Sequence, residues 1–145
     1  MLNFLQMRKT YILLFLICIN LSCKQNITNN DLKNLNGYWE IEYVILPDGS
    51  QKEYKMNQII DYFELKDSLG FRKKVSPQLN GTYLVDDVSE RIKIITSDDK
   101  KSIQYVTNFA KWNEEIVLIS DKELVLKNAQ NLEYHYKKPI PFSIK

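Results

Sequence analysis

From Gly37 onward the chain alternates. Trp39, Ile41, Tyr43 and Ile45 interleave with Tyr38, Glu40, Glu42 and Val44, the period-two pattern of a strand that buries one face. Pro47-Asp48-Gly49-Ser50 then supplies turn chemistry. Short runs of the same kind recur at 62–66, 71–75, 82–86, 91–96, 102–109, 115–119, 123–127 and 132–137. Between them lie Ser68-Leu69-Gly70, Asn80-Gly81, Ser97-Asp98-Asp99-Lys100, Ser120-Asp121-Lys122 and Asn128-Ala129-Gln130-Asn131. Turns this tight force each strand to pair with the next, antiparallel. A meander of about eight to ten strands has exposed edges unless it closes, so the expected fold is all-β, a small antiparallel up-and-down barrel.

Two segments resist that reading. Asn30-Asp31 before Leu32 and Leu35 resembles the cap of a short helical turn. Met56, Ile59, Ile60 and Phe63 fall at helical spacing, so residues 55–61 can be a short helix at one end of the barrel or part of a strand.

The amino terminus is of another kind. Arg8 and Lys9 precede an apolar run from Tyr11 to Ile19. At about nine residues this run is far short of the ~20 needed to span a bilayer, which makes it the core of a signal peptide. Asn20-Leu21-Ser22-Cys23 follows, then polar residues from Lys24 to Asn34. The tetrapeptide resembles a lipobox, where a bacterial lipoprotein is acylated on cysteine with palmitate-type chains and cleaved. The expected organisation is a signal peptide over 1–22, a lipidated Cys23 with a polar tether and short helical turn over 23–35, and the barrel over 36–145. A tether of Lys, Gln, Asn and Thr has too little apolar surface to collapse alone. The membrane, reached through Cys23, is the expected partner, and the expected address is the outer membrane on its periplasmic side. With Cys18 lost in the signal and Cys23 acylated, the mature domain has no cysteine pair, so its stability must come from its core.

Charge excludes some functions. The chain has 20 Lys+Arg and 18 Asp+Glu, and removal of Arg8 and Lys9 leaves 18 of each. A balanced, interleaved charge gives no footing for a nucleic-acid partner. The single histidine, His135, shares parity with Glu133 and Lys137 and is expected to face solvent. General-base chemistry needs an orienting partner and a pocket beside it. No catalytic residue, metal ligand set or phosphate loop is recognisable, and no cofactor is implied. The expectation is a binding protein, not an enzyme.

Residues of shared parity define the expected interior: Trp39, Tyr43, Phe63, Phe71, Tyr83, Ile92, Ile94, Tyr105, Phe109, Tyr134 and Tyr136. Periodicity identifies a face and not a void, so a solid aromatic core and an aromatic-walled pocket with phenol handles both fit. Lys73 shares parity with Phe71 and Val75. Inside a barrel it would suit an anionic head group; a register-flipping bulge or a side chain snorkelling to the rim are the alternatives. The candidate ligand-binding set is therefore Trp39, Tyr43, Phe63, Lys73, Tyr83, Tyr105, Tyr134 and Tyr136. Outside, Ile116-Val117-Leu118-Ile119 is apolar at both parities, and is either covered by the Pro139–Phe142 tail or open to a partner.

Gly37-Tyr38-Trp39 at the first strand resembles the G-x-W signature of lipocalins. Gly81-Thr82-Tyr83, Glu123-Leu124-Val125-Leu126-Lys127 and Tyr134-His135-Tyr136-Lys137-Lys138 are similar to lipocalin-like lipoproteins of Bacteroidetes. The resemblance implies a tryptophan packed at the closed end of the barrel and an arginine near the last strand set against it. Here Lys137 or Lys138 stands in that region. It further implies binding or carriage of a small apolar molecule in the envelope, with a solid interaction or inhibitor module as the alternative and an envelope enzyme with a carboxylate site as a second.

Overall fold

Alternation becomes strand wherever one parity can be buried. In the computed structural model, which describes residues 25–140, nine strands follow in chain order: β1 (Gly37–Ile45), β2 (Gln51–Glu53), β3 (Ile60–Lys66), β4 (Leu69–Pro77), β5 (Tyr83–Ser97), β6 (Lys100–Val106), β7 (Lys111–Ile119), β8 (Glu123–Asn128) and β9 (Glu133–Lys137). From β3 to β9 each pairs antiparallel with the next, β3 pairs with the first half of β1, and β9 returns to pair with β1. The result is a closed eight-stranded up-and-down barrel, with β2 as an extra strand on the second half of β1. Closure removes the edges that an open meander would expose. The signal peptide, Cys23 and the end of the tail at Pro141–Phe142 lie outside the described residues.

Turn chemistry sets the register. Asp98 and Asp99 both take positive φ, 50° and 59°, between Ser97 and Lys100, the geometry that matches strand twist in a two-residue hairpin. Between β3 and β4 the turn is Asp67-Ser68, with Asp67 at φ 58°, so Leu69 and Gly70 belong to the strand and not to the expected turn. A Cβ on Gly70 would stand 1.9 Å from the Glu64 carbonyl oxygen, so only glycine allows β3 and β4 this approach.

Other boundaries differ from expectation. Runs 82–86 and 91–96 are one strand, β5. Between the pairs Lys73–Ser89 and Val75–Val85, three residues of β5 face only Lys74 of β4. This large bulge lets the tip of the β4–β5 hairpin swing against the outer wall, where Tyr83 stacks on Tyr38 at 3.9 Å. Residues 54–59 form neither helix nor strand, and β3 begins at Ile60. There the ladder along β1 is completed singly: Tyr54 N–H donates to the Glu42 carbonyl and the Asn57 amide to that of Ile41. The strand expected to reach Phe109 ends at Val106, leaving Phe109 at a turn tip and 99% exposed.

One end of the barrel is closed. The turns at 67–68, 98–99 and 120–122 lie there, with the 3₁₀ turn Asp31–Leu35 inserting Leu32 and Leu35 into the core. The polar segment before it is not the free tether its composition suggested. Gln25 exchanges two hydrogen bonds with the backbone of Ile119, and Ile27 is buried in the core cluster. At the other end, the mouth, lie the turns at 46–50, 107–110 and 129–132.

Candidate functional site

Gly37 holds φ +108°, and two residues on the Trp39 indole N–H donates to the Leu35 carbonyl at 2.8 Å. Trp39 is fully buried, and Lys138 Nζ stands 3.6 Å from its ring centroid while donating to the Asn36 carbonyl. Lys138, not Lys137, thus occupies the place where the resemblance implied an arginine; Lys137 lies on the outer wall against Glu40 and Glu42. Burial holds the Lys138 ammonium below its ordinary range. This arrangement plugs the floor.

Above the floor the lumen is filled. Phe63, Ile103, Tyr105, Leu124 and Leu126 have no solvent-accessible surface, so no water-sized void touches them. The aromatic interior expected from parity is partly realised: Trp39, Phe63, Ile92, Ile94, Tyr105 and Tyr136 are buried in one cluster, with Tyr134 packed against it. Tyr43, Phe71, Lys73 and Tyr83 point out instead. On β1 a bulge after Ile41 shifts the phase, so Val44 turns inward opposite Tyr134, and Tyr43 stacks on His135 outside at 4.2 Å. On β4, Lys73 pairs with Tyr62, whose partner on β1 is Tyr38, while Arg72 pairs with the buried Phe63. Directly paired residues share a face, so Arg72 and Lys74 face inward and Lys73 rides over the Phe71 ring outside.

That inversion creates the most unusual feature of the molecule, a charged and aromatic cluster in the lumen below the mouth. Arg72 is 7% exposed; its Nε donates to Glu90 on β5, and its guanidinium carbon lies 4.3 Å from the Tyr105 ring centroid. Tyr105 in turn stacks on Trp112 at 5.0 Å. Lys74 reaches in from the rim to pair with Asp61, itself only 2% exposed. Burial disfavours the charged guanidinium of Arg72, but the bond to Glu90, with Tyr105 and Asp61 nearby, outweighs this and holds the proton more firmly than usual. Burial pushes the Glu114 carboxyl above its ordinary range, with Tyr105 and Arg72 opposing that shift. The Tyr105 and Tyr136 phenols are raised well above theirs by burial first, with Glu114 and Asp61 respectively adding the next largest push. Tyr105 and Glu114 perturb each other, yet Tyr105 Oη and Glu114 Oε2 are buried without a well-formed hydrogen bond among the described residues. Tyr134, half-buried at the rim, accepts from the Asn128 amide at 3.4 Å.

Sequence reasoning found three members of this cluster, Tyr105, Tyr134 and Tyr136, and missed Asp61, Arg72, Glu90, Trp112 and Glu114. The available signal was the second parity of 71–75 and the continuation of β7 back to Lys111. Outside, a groove of about 770 Å³ runs along β7, β8 and β9, lined by Val117, Leu118, Val125 and His135 among others. Pro139 and Ile140 do not cover it, because they border a separate cleft beside the β4–β5 hairpin tip. No cluster of three or more potential metal ligands occurs among the described residues.

No family model matches the chain, and no curated protein matches it. Among solved structures, a lipocalin-like protein from Bacteroides uniformis aligns with 73% of this chain and 99% of its own length, at 11% identity and a TM-score of 0.46. An uncharacterized protein from Bacteroides eggerthii aligns with 72% and 99%, at 14% identity and the same TM-score.

Proposed function

We propose that this protein is an envelope lipoprotein, held to the outer membrane through Cys23, whose barrel binds a small amphipathic molecule at its mouth without catalysing a reaction. The observation that carries the reading is buried charge on Arg72 and Glu114 beneath the half-buried ring of Trp112, with Glu114 Oε2 lacking a well-formed hydrogen bond. Buried polar atoms demand partners, and each one left without costs roughly 1–3 kcal/mol. A ligand presenting a polar end to this cluster and an apolar body to Trp112 and Tyr134 would supply them. Because the space around Trp39 and Phe63 is filled, the proposed ligand would sit high in the barrel. Of the aromatic set inferred from parity, Tyr134, half-buried at the rim, is the member positioned to contribute.

Anilinonaphthalene sulfonate, an apolar ring system with an anionic end, is a suitable probe. Stoichiometric binding that weakens about tenfold in both Arg72→Met and Trp112→Ala, a loss near 1.4 kcal/mol, supports the reading. Binding untouched by these variants, or weakened equally by Lys73→Met on the outer wall, refutes it. A second reading, a solid barrel acting through its surface, is favoured by Phe109, which stands free at the mouth. Capture of a protein partner that is lost in Phe109→Ser would select it.

A further inference from the structure

The closed end of the barrel is separated from the acylation site by one residue. Cys23 and Gln25 are two positions apart, and two residues span at most about 7 Å even when fully extended. Gln25 is not free to extend that reach. Its amide donates to the Ile119 carbonyl at 3.0 Å and its side-chain oxygen accepts from the Ile119 N–H at 2.9 Å, in the manner of one more rung on β7. Ile27 is buried beside it, and Thr28 is tied to Asp31 through both its N–H and its hydroxyl. The chain is therefore locked to the barrel floor from residue 25 onward.

We infer that the closed end of the barrel is a membrane-facing surface, resting on the headgroups of the bilayer that holds Cys23, with the mouth directed away from the lipid. The inference rests on the anchoring reading above and goes beyond it by fixing an orientation. A freely jointed tether would let the barrel tumble; a leash of about 7 Å fixed to one end cannot bring the mouth to the same membrane. The surface presented there suits a headgroup layer of mixed charge. Asp67, Asp98, Asp99 and Asp121 alternate with Lys33, Lys66 and Lys122 around the closed-end turns. β7 has nine residues, and at ~3.3 Å per residue and a tilt of ~40° the mouth stands roughly 20 Å above the floor. A ligand at Trp112 and Arg72 would then exchange with the aqueous phase or with a facing protein, and not by lateral entry from the anchoring leaflet.

The acylated full-length protein, reconstituted into phosphatidylethanolamine/phosphatidylcholine nanodiscs carrying a headgroup-linked energy-transfer acceptor, tests this. Donor dyes are placed on Asp121→Cys at the closed end and on Gln130→Cys at the mouth; thioether-linked Cys23 does not compete for label. The expected result is a transfer rate about fivefold or more higher from position 121 than from 130, because the rate to a plane of acceptors falls as roughly the fourth power of height and the two sites differ by roughly 20 Å. A flexible 20-residue Gly-Ser insert between residues 24 and 25 should bring the two signals together. Equal transfer without the insert, in protein whose intact mass shows the acyl chains, overturns the orientation alone. An intact mass without acyl chains on Cys23 overturns the anchoring reading and the orientation together.

Discussion

Replacing Arg72 by Met should be among the most damaging single changes in the lumen. Met approximates the length of the side chain and leaves little cavity, so the loss is chiefly electrostatic. Arg72 is 7% exposed and its Nε bonds to Glu90, whose side chain keeps 21% of its exposure. Stranding a fully buried carboxylate costs about 3–5 kcal/mol; because Glu90 can partly rehydrate, the lower end applies, about 3 kcal/mol. The stacking of the guanidinium on Tyr105, worth on the order of 1 kcal/mol, lies within that figure. If the stranded charge is the main cause, Arg72→Met/Glu90→Gln should lose only about 1 kcal/mol, about 2 kcal/mol less than Arg72→Met alone. Urea unfolding at neutral pH, followed by circular dichroism and extrapolated to water, measures Arg72→Met, Glu90→Gln and the double variant against the parent. A single variant within about 0.5 kcal/mol of the parent, or a double variant no more stable than the single, refutes the claim that a buried ion pair organises this lumen.

Glu114 gives a pH test. Its folded pKa lies above the unfolded one because of burial, so its protonated form stabilises the fold at low pH and that contribution is lost as pH rises through the folded value. Glu114→Gln should therefore match the parent in acid and exceed it in stability at pH 8; a difference independent of pH, read from urea midpoints between pH 4 and 8, counts against the assignment. Gly37→Ala forces a side chain into φ +108° with Lys138 Nζ 3.5 Å from the new Cβ, and should cost about 1–3 kcal/mol in thermal or urea unfolding; a neutral result would show that the floor relaxes. Replacing Asp98-Asp99 with Asn-Gly suits two positive φ values and should raise stability by about 0.5–1 kcal/mol, with no gain in melting temperature as the contrary outcome.

The architecture was legible because strand parity and turn chemistry agree along most of the chain. Asp98-Asp99, Asn128–Asn131 and Asp48-Gly49 form turns where their side chains and φ values require them, and short turns leave a meander no topology but nearest-neighbour pairing. What was not legible lies at bulges. Single extra residues on β1 and β7 reset which parity faces in, whereas the two extra on β5 bend the strand without changing its parity. A bulge carries no compositional mark in Ile41-Glu42-Tyr43 or in Asp86-Asp87-Val88, because its cause is the curvature needed to close the sheet. The β1 bulge puts Tyr43 outside, while Tyr83 simply shares the outer parity that Val85 and Ser89 keep along the whole of β5.

Arg72 was hidden by a different failure. In Phe71-Arg72-Lys73-Lys74-Val75 both parities are plausible strands, and hydrophobicity favours the one with Phe71 and Val75 inside. Pairing selects the other. Phe63 must face in to pack on the floor beside Trp39, Arg72 is its cross-strand partner, and one residue of phase moves every side chain on β4 to the opposite face. The apolar parity is not wasted: Val75 and Ile60, paired on the outer face, are both buried. The barrel thus keeps apolar residues on its outer wall and admits charge to its lumen, the reverse of what a hydrophobicity pattern assumes. A lumen that accepts Arg72, Glu90, Asp61 and Glu114 carries charge beneath Trp112, so the proposed binding rests on Arg72, Glu114 and Trp112 and not on the outward-facing Tyr43, Lys73 and Tyr83.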